Sequence, residues 1–220
     1  LNRYLQSKTI KLLHLTGSYA KFQNQVEKSR AREFYKKTKV RYTPKRIIKD
    51  TTKYEKSIIL ADKCSLIGNT QTRGTYPKKY HKKINLVTVS ASKLKYIKTK
   101  KEYFLGNEYL CFFGSGAVLK GIDLVIDVFL KNKQWTLNIV GDLSSEYDFL
   151  KAYGDVLNKD NIHYYGHLNT SSKEFLDICK RCYCFISPTS SESISTAVAT
   201  CLTIGLYPIL SKYTGVTLPR

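Results

Sequence analysis

The sequence predicts an α/β protein in which parallel strands carry helices on both faces. From residue 106 onward, short apolar runs alternate with segments of helical period, the pattern of a parallel sheet with crossover helices. The strand candidates stop on glycine or on Ser-Pro, as strands do before a turn. The charge also divides the 220 residues: 1–105 carry 27 Lys+Arg against 6 Asp+Glu, and 106–220 carry 10 against 11. A shift that sharp predicts two domains with different surroundings, 1–103 with a linker and 104–220.

Taken in order, Lys8 to Leu15 is an apolar run of strand length. Phe22 to Lys37 has helical character with charges on several faces, and 38–49, with Pro44 and many bases, reads as loop or edge strand. Thr51 to Ala61 reads as helix, Lys63 to Gly68 as a short strand, Asn69 to Tyr80 as a short helix broken at Pro77, and Ile84 to Val89 as a strand. The Lys-rich 93–102 segment is the expected linker. Tyr109 to Phe113 is a strand stopped at Gly114, Asp123 to Leu130 a helix, Trp135 to Val140 a strand stopped at Gly141, and Glu146 to Leu157 an amphipathic helix. Ile162 to Tyr165 is a strand stopped at Gly166. Ser171 with Glu174 makes a capping box ahead of the next helix. Cys182 to Ile186 is a strand, Ser193 to Ile204 a helix ended by Gly205, and Tyr207 to Leu210 the last strand.

The composition sets limits. An apolar content of 42% is enough for a core and excludes wholesale disorder. No apolar run approaches the roughly 18 residues of a membrane-spanning helix, and Leu1 to Leu5 has no signal-peptide apolar region. A cytoplasmic protein is expected. There is no Met, so the chain is expected to be a fragment or a processed product. The six Cys read as reduced thiols rather than a disulfide framework. Cys179, Cys182 and Cys184 resemble half a zinc site, but structural zinc needs about four ligands, and no metal is expected. Trp135 is expected to pack in the core or at an edge.

The net charge of +20 calls for an anionic partner or a strongly solvated surface. Nucleic acid, an anionic membrane surface and phosphorylated ligands are the candidates. Tyr35, Tyr42, Tyr54, Tyr76, Tyr80 and Tyr96 interleave with Lys and Arg. That pattern suits base stacking, but an amphipathic surface is the preferred reading, and nucleic acid is not the expected partner.

In open α/β sheets, ligands bind beyond the carboxyl ends of the strands. Here those ends are Gly114-Ser115-Gly116, Gly141-Asp142, Tyr165-Gly166-His167 and Ser187 to Glu192. A Gly-rich turn lets main-chain N–H groups approach an anion, and Lys120 adds a full charge nearby; an ordinary tight turn fits the same residues. The Ser/Thr-rich loop 187–195 carries one carboxylate, Glu192, into a helix whose N-terminus at Ser195-Thr196 suits a phosphate. Plain helix capping is the competing reading there.

These residues resemble the nucleotide-binding domain of family-4 (group 1) glycosyltransferases, which have two facing Rossmann-like domains, the GT-B fold. Gly114 followed by Lys120-Gly121 resembles the family's strand-end Gly and Lys-Gly pair. Glu192 resembles the first Glu of its paired glutamates, and Gly205 and Pro208 the sequel. The likeness spans about residues 104–217. His14, in KLLHLTGS, resembles the family's His near the donor sugar, and residues 61–69 resemble a helix–strand unit of the N-terminal, acceptor-side domain. Two positions depart from the pattern: Ser115 stands where an Arg is frequent, and Thr200 replaces the second Glu.

The resemblance implies a transferase that takes a sugar from a nucleoside diphosphate sugar to a glycan or lipid-linked acceptor, with retention, in cell-surface polysaccharide synthesis at the inner face of the membrane. Lys120 and the helix N-terminus would stabilise the leaving diphosphate, Glu192 would orient the sugar, and His14 would contact sugar or phosphate. The backbone of Tyr165, Gly166 and His167 would meet the nucleobase, and Thr200 would face the ribose. No Asp-x-Asp pair occurs, so a metal-free mechanism without bound cofactor is expected. A transferase-like scaffold without activity and a nucleic-acid-binding protein are the alternatives.

Overall fold

The computed structural model describes residues 9–89, 91 and 106–217. The linker at 93–102, Tyr96 and Leu1 to Leu5 lie outside the described residues.

Two parallel sheets form. The first has the order β1-β2-β3, with β1 Leu12–Leu15, β2 Lys63–Ile67 and β3 Ile84–Val87. Between them run α1 Ala20–Thr38, α2 Thr51–Leu60 and α3 Thr70–Gly74. The second sheet has β4 Glu108–Phe112, β5 Thr136–Val140, β6 Ile162–Tyr164, β7 Cys184–Ser187 and β8 Tyr207–Leu210, in the order β6-β5-β4-β7-β8. Its helices are α4 Ala117–Lys120, α5 Ile122–Lys131, α6 Tyr147–Tyr153, α7 Lys173–Arg181 and α8 Thr196–Ile204. The chain runs outward from β4 to β6, then crosses back to β7 and β8. The right-handed crossover rule therefore puts α5 and α6 on one face and α7 and α8 on the other. The cores agree: Ile126, Phe129 and Phe149 pack on one face, and Phe175, Ile178 and Val198 on the other. The direction reverses beside β4, which makes its carboxyl end the switch point of the sheet.

The strand-end residues named from sequence stand together. Gly141 N–H donates to the Gly166 carbonyl (2.9 Å) and Asp142 N–H to the Gly114 carbonyl (3.1 Å). Three helix boundaries differ from expectation. The cap of α7 is Ser172, whose Oγ accepts from Phe175 N–H (3.2 Å), and not Ser171. Ser171 N–H is already held by the Asn169 side chain (2.8 Å), a turn that shifts the helix start by one residue. α8 begins at Thr196 rather than Ser193, because Ser193 is buried with its hydroxyl on the Thr16 carbonyl (2.7 Å). α6 stops at Tyr153 and gives way to a tighter turn at Gly154–Val156, where glycine weakens the helix.

α1 belongs to both halves. Near its start Tyr19 and Ala20 are buried, with Tyr19 in the core of the first sheet, while Phe34 packs with Phe149 and Tyr153 in the core of the second. Arg30 donates to both oxygens of Asp123 (2.8 and 2.9 Å) and to the Val118 carbonyl (3.3 Å). Lys37 reaches Asp123 (2.9 Å) and Asp127 (2.6 Å). Among the described residues, Tyr42, Tyr76 and Tyr80 belong neither to a stacking surface nor to the amphipathic surface expected. Tyr42, Tyr76 and Tyr80 are buried, with hydroxyls donating to Glu146 (2.9 Å), Gly17 (2.7 Å) and Glu55 (2.8 Å). A ring that buries its apolar body and satisfies its hydroxyl packs as core; Tyr35 alone of those described is largely exposed.

Removing one partner of a buried ion pair leaves the other charge uncompensated, at a cost of about 3–5 kcal/mol. Asp123→Ala is therefore expected to destabilise the chain by about 3 kcal/mol in denaturant unfolding, the lower end because Glu33 and Asp127 still face Arg30 and Lys37. Lys37→Ala, at the more exposed cation, should cost clearly less.

Candidate active site

Lys120 stands at the end of a single helical turn between two glycines in the left-handed region, Gly116 (φ 82°) and Gly121 (φ 76°). A Cβ on Gly121 would lie 2.9 Å from Pro188 Cγ and 3.0 Å from its carbonyl oxygen, so the turn and the loop after β7 touch with no room for a side chain. Ser190 N–H donates to the Leu119 carbonyl (3.0 Å), fastening that loop to α4. The Ser18 hydroxyl donates to the Glu192 carbonyl (3.2 Å), which with the Ser193–Thr16 bond ties the same loop to the end of β1. Glu192 is thereby brought onto Lys120, and the two side chains form an ion pair at 12% and 14% exposure. Burial, and then the Arg46 guanidinium, push the Lys120 ammonium down to about 7. The contacting carboxylate opposes that push and favours the charged form.

The pair lines a cleft of about 440 Å³ at the carboxyl ends of both sheets, with Ser115, His167, Ser195 and Arg46. Gly114 and Thr196 border it as well. A second cavity of about 460 Å³ adjoins it, sharing Thr16 and Arg46, and contains His14. The His14 Nδ1 is 2.8 Å from Ser65 Oγ. Lys120, Glu192, Ser115, His167, Ser195 and Thr196 are thus gathered around one cleft, with His14 in the neighbouring one.

Four expected residues stand otherwise. Gly116 does not present its N–H to the cleft: that group donates to Glu146 Oε1 (2.7 Å), which also accepts from Ala117 N–H (3.3 Å). Glu146 is fully buried, so these donors already serve a protein carboxylate. Tyr165 turns its hydroxyl to Asn138 Oδ1 (3.0 Å), and its half-buried ring packs on the core beneath α7 and α8. Thr200 is buried within α8, one turn beyond the residues that border the cleft. Gly166, in the left-handed region (φ 70°), has its carbonyl taken by Gly141. Arg46 and Glu146 escaped sequence reasoning because nothing local marks a residue whose partner is 70 or 30 positions away in the chain.

The family described as glycosyl transferases group 1 matches residues 95–217, more than half of the chain. The chain belongs to that family. Among solved structures, a mutant of S. aureus TarM in complex with fondaparinux, alpha-GlcNAc-glycerol and UDP is 12% identical, with 93% of this chain and 37% of that chain covered and a TM-score of 0.55. A glycosyltransferase from Rickettsia africae is 15% identical over 77% of this chain and 50% of its own, with a TM-score of 0.53. WaaG, a glycosyltransferase involved in lipopolysaccharide biosynthesis, gives 14%, 70%, 45% and 0.50 in the same order. These likenesses show the fold, a GT-B-like arrangement of Rossmann-like parallel sheets, and the group 1 chain spans half or less of each of these three relatives' length. No curated protein matches it by sequence. Among the described residues of this group 1 family member, no group of three or more His, Cys, Asp or Glu is placed to hold a metal ion. The six cysteines are all buried.

Glu192→Gln tests the electrostatics. Without the carboxylate, burial and Arg46 act unopposed on Lys120, whose ammonium should titrate lower in the variant than in the unmodified chain by NMR of the labelled side chain. A lysine with a depressed folded-state pKa leaves the unfolded chain binding more protons between that folded-state value and the ordinary value of about 10.4. Stability of the variant relative to the unmodified chain should therefore rise with pH between the two folded-state values. Parallel stability curves for the two would show that the carboxylate does not govern the charge on Lys120.

Proposed function

We propose that this chain carries the donor site of a glycosyltransferase that moves a sugar from a nucleoside diphosphate sugar to a glycan or lipid-linked acceptor. The observation that carries the reading is the shielded Lys120–Glu192 pair in a cleft at the switch point of a parallel sheet, beside the N-terminus of α8. Departure of a diphosphate builds negative charge, and positioned cations in a shielded cleft lower the barrier for it. Lys120 and the positive end of α8 meet that charge, and Glu192, beside them, takes hydroxyls of the sugar. His167 borders the cleft on the nucleoside side. The adjoining cavity, with His14 and Lys45, is the acceptor side. Charge neutralisation by side chains makes the transfer metal-independent, and the configuration is retained. The UDP bound to S. aureus TarM makes UDP the first donor nucleotide to try. The division at 103/104 is proposed as the boundary between acceptor-side and donor-side domains.

A screen of nucleoside diphosphates for thermal stabilisation of the full chain tests the reading at its root, since a ligand that binds only the native state raises the melting temperature. Lys120→Ala should weaken nucleotide-sugar binding by at least about tenfold, because Glu192 then faces the phosphates without its counter-ion. Glu192→Ala should abolish most transfer yet leave bare diphosphate affinity unchanged or raised, because it frees Lys120. Equal losses for nucleotide and nucleotide sugar would show that Glu192 does not read the sugar, and a strong loss of transfer with chelator would end the metal-free mechanism. Binding without product formation would identify the scaffold alternative.

The basic surface is proposed to meet an anionic leaflet, where each Lys or Arg contributes about 1 kcal/mol. The basic residues expected to make that contact are Lys36, Lys37, Lys39, Arg41, Lys45 and Arg46, with Lys78, Lys79, Lys82 and Lys83, and some of them are engaged within the fold. Lys37 is held by Asp123 and Asp127, and Lys83 donates to the carbonyls of Ile58, Ile59 and Ala61 at the end of α2. Lys36, Lys39 and Arg41 remain exposed at and just beyond the end of α1, and Lys45 and Arg46 are exposed on the loop that returns along it. No helix among the described residues is long and apolar enough to cross a membrane; the attachment proposed is electrostatic. Vesicles with anionic lipid should bind the chain and release it as salt screens the charges, and an oligonucleotide should not outcompete them. Equal binding to neutral vesicles would remove the membrane from the reading.

A further inference from the structure

An anion entering the cleft does not meet a free lysine. Lys120 is already in contact with Glu192, so the pair contributes no net charge. The strand end offers Ser115, an uncharged residue, and the N–H groups of Gly116 and Ala117 are occupied by Glu146. A diphosphate carries more than one negative charge at neutral pH. Among the described residues, the cation that borders the cleft and takes part in no salt bridge is Arg46.

Arg46 is built into place from the other half of the chain. Its N–H donates to Glu27 Oε1 (2.7 Å) and its carbonyl accepts from Gln23 Nε2 (2.5 Å). Two residues on, Asn24 exchanges two hydrogen bonds with the main chain of Ile48 (2.8 Å each). All three anchors lie on α1, which Arg30 and Lys37 pin to Asp123 on α5. From that fixed backbone the side chain passes over the Gly116 turn: a Cβ on Gly116 would lie 2.9 Å from Arg46 Cγ. The guanidinium stands close enough to Lys120 to depress its pKa, and it borders the His14 cavity as well.

We propose that Arg46 is a diphosphate-binding residue, supplying from the loop after α1 the second cation of the donor site, so that a bound diphosphate is clamped between the two halves of the chain. This assignment rests on the donor-site reading above. The planar guanidinium grips phosphate oxygens in pairs, and the rigid loop delivers it with little left to order. Its place between the two cavities sets it at the junction of donor and acceptor.

Calorimetric titration of the full chain with UDP, GDP and ADP, and with the matching monophosphates, tests the assignment. Arg46→Gln should lower the affinity of whichever diphosphate binds by about 10- to 100-fold, the range for a lost charge-assisted pair, and that of the monophosphate by less. Arg46→Lys, which keeps charge and stem but loses the fork, should fall between. Ser115→Arg, added to Arg46→Gln, should restore much of the loss by placing a cation at the strand end of the same cleft. Diphosphate affinity unchanged in Arg46→Gln, or mono- and diphosphate weakened equally, overturns the assignment while the donor site stands. If the unmodified chain binds none of the three diphosphates, the donor-site reading falls and this assignment falls with it.

Discussion

A carboxylate with no access to water needs its charge met within the protein, and Asp123 is met by two cations from a helix of the other half of the chain. That requirement sets the position of α1 along α5, and much else follows from it. α1 carries Glu27, Gln23 and Asn24, which hold the loop at 46–48. The same loop sends Tyr42 down to Glu146, and Glu146 in turn holds the N–H groups that shape the turn before Lys120. A line of polar contacts, buried at Asp123, Glu27 and Glu146, thus runs from α5 to the floor of the cleft. Each member depends on the last being in register, because an unmatched partner in such a network costs more than the bond contributes.

The cleft applies the same rule with a different outcome. Lys120 and Glu192 sit where water reaches poorly, so each makes the charged state of the other tenable. Unlike Asp123, this pair faces an opening. On the proposed donor-site reading, a phosphate would offer Lys120 a second anion and a sugar would offer Glu192 hydroxyl donors, so the pair could be exchanged for ligand contacts without leaving a bare charge behind. The loop that bears Glu192 is stitched to α4 and to the end of β1 by three hydrogen bonds. The exchange therefore falls on side chains, with the backbone already in place.

The parallel sheet was legible in the sequence because its strands are short apolar runs that each end at a turn-forming residue. Leu110, Leu137, Ile139 and Phe185 are buried where that pattern places them. Lys120 and Glu192 were legible as well, since both lie at strand ends that a parallel sheet gathers on one edge. What was not legible was set by partners far off in the chain. The cap of α7 moved by one residue because Asn169 had captured Ser171. The N–H groups of the Gly-rich turn were assigned to an anion, and the anion is Glu146 of the protein itself. Tyr42 looked like surface because lysines and arginines flank it, yet its hydroxyl is matched by a carboxylate 104 residues away.

The charge asymmetry between the halves shows the same limit from the other side. Counted along the sequence, the surplus of Lys and Arg before residue 105 suggests a surface waiting for an external anion. In the fold, part of that surplus is internal: Arg30 and Lys37 neutralise carboxylates of the second half, and Lys83 satisfies the carbonyl end of a helix. Part of the surplus on the basic half thus serves first to dock it against buried carboxylates of a half that is itself nearly neutral. Among the described residues that border the cleft, Arg46 is a cation that this docking leaves in no salt bridge, at the place where the paired Lys120 cannot answer a multiply charged anion alone.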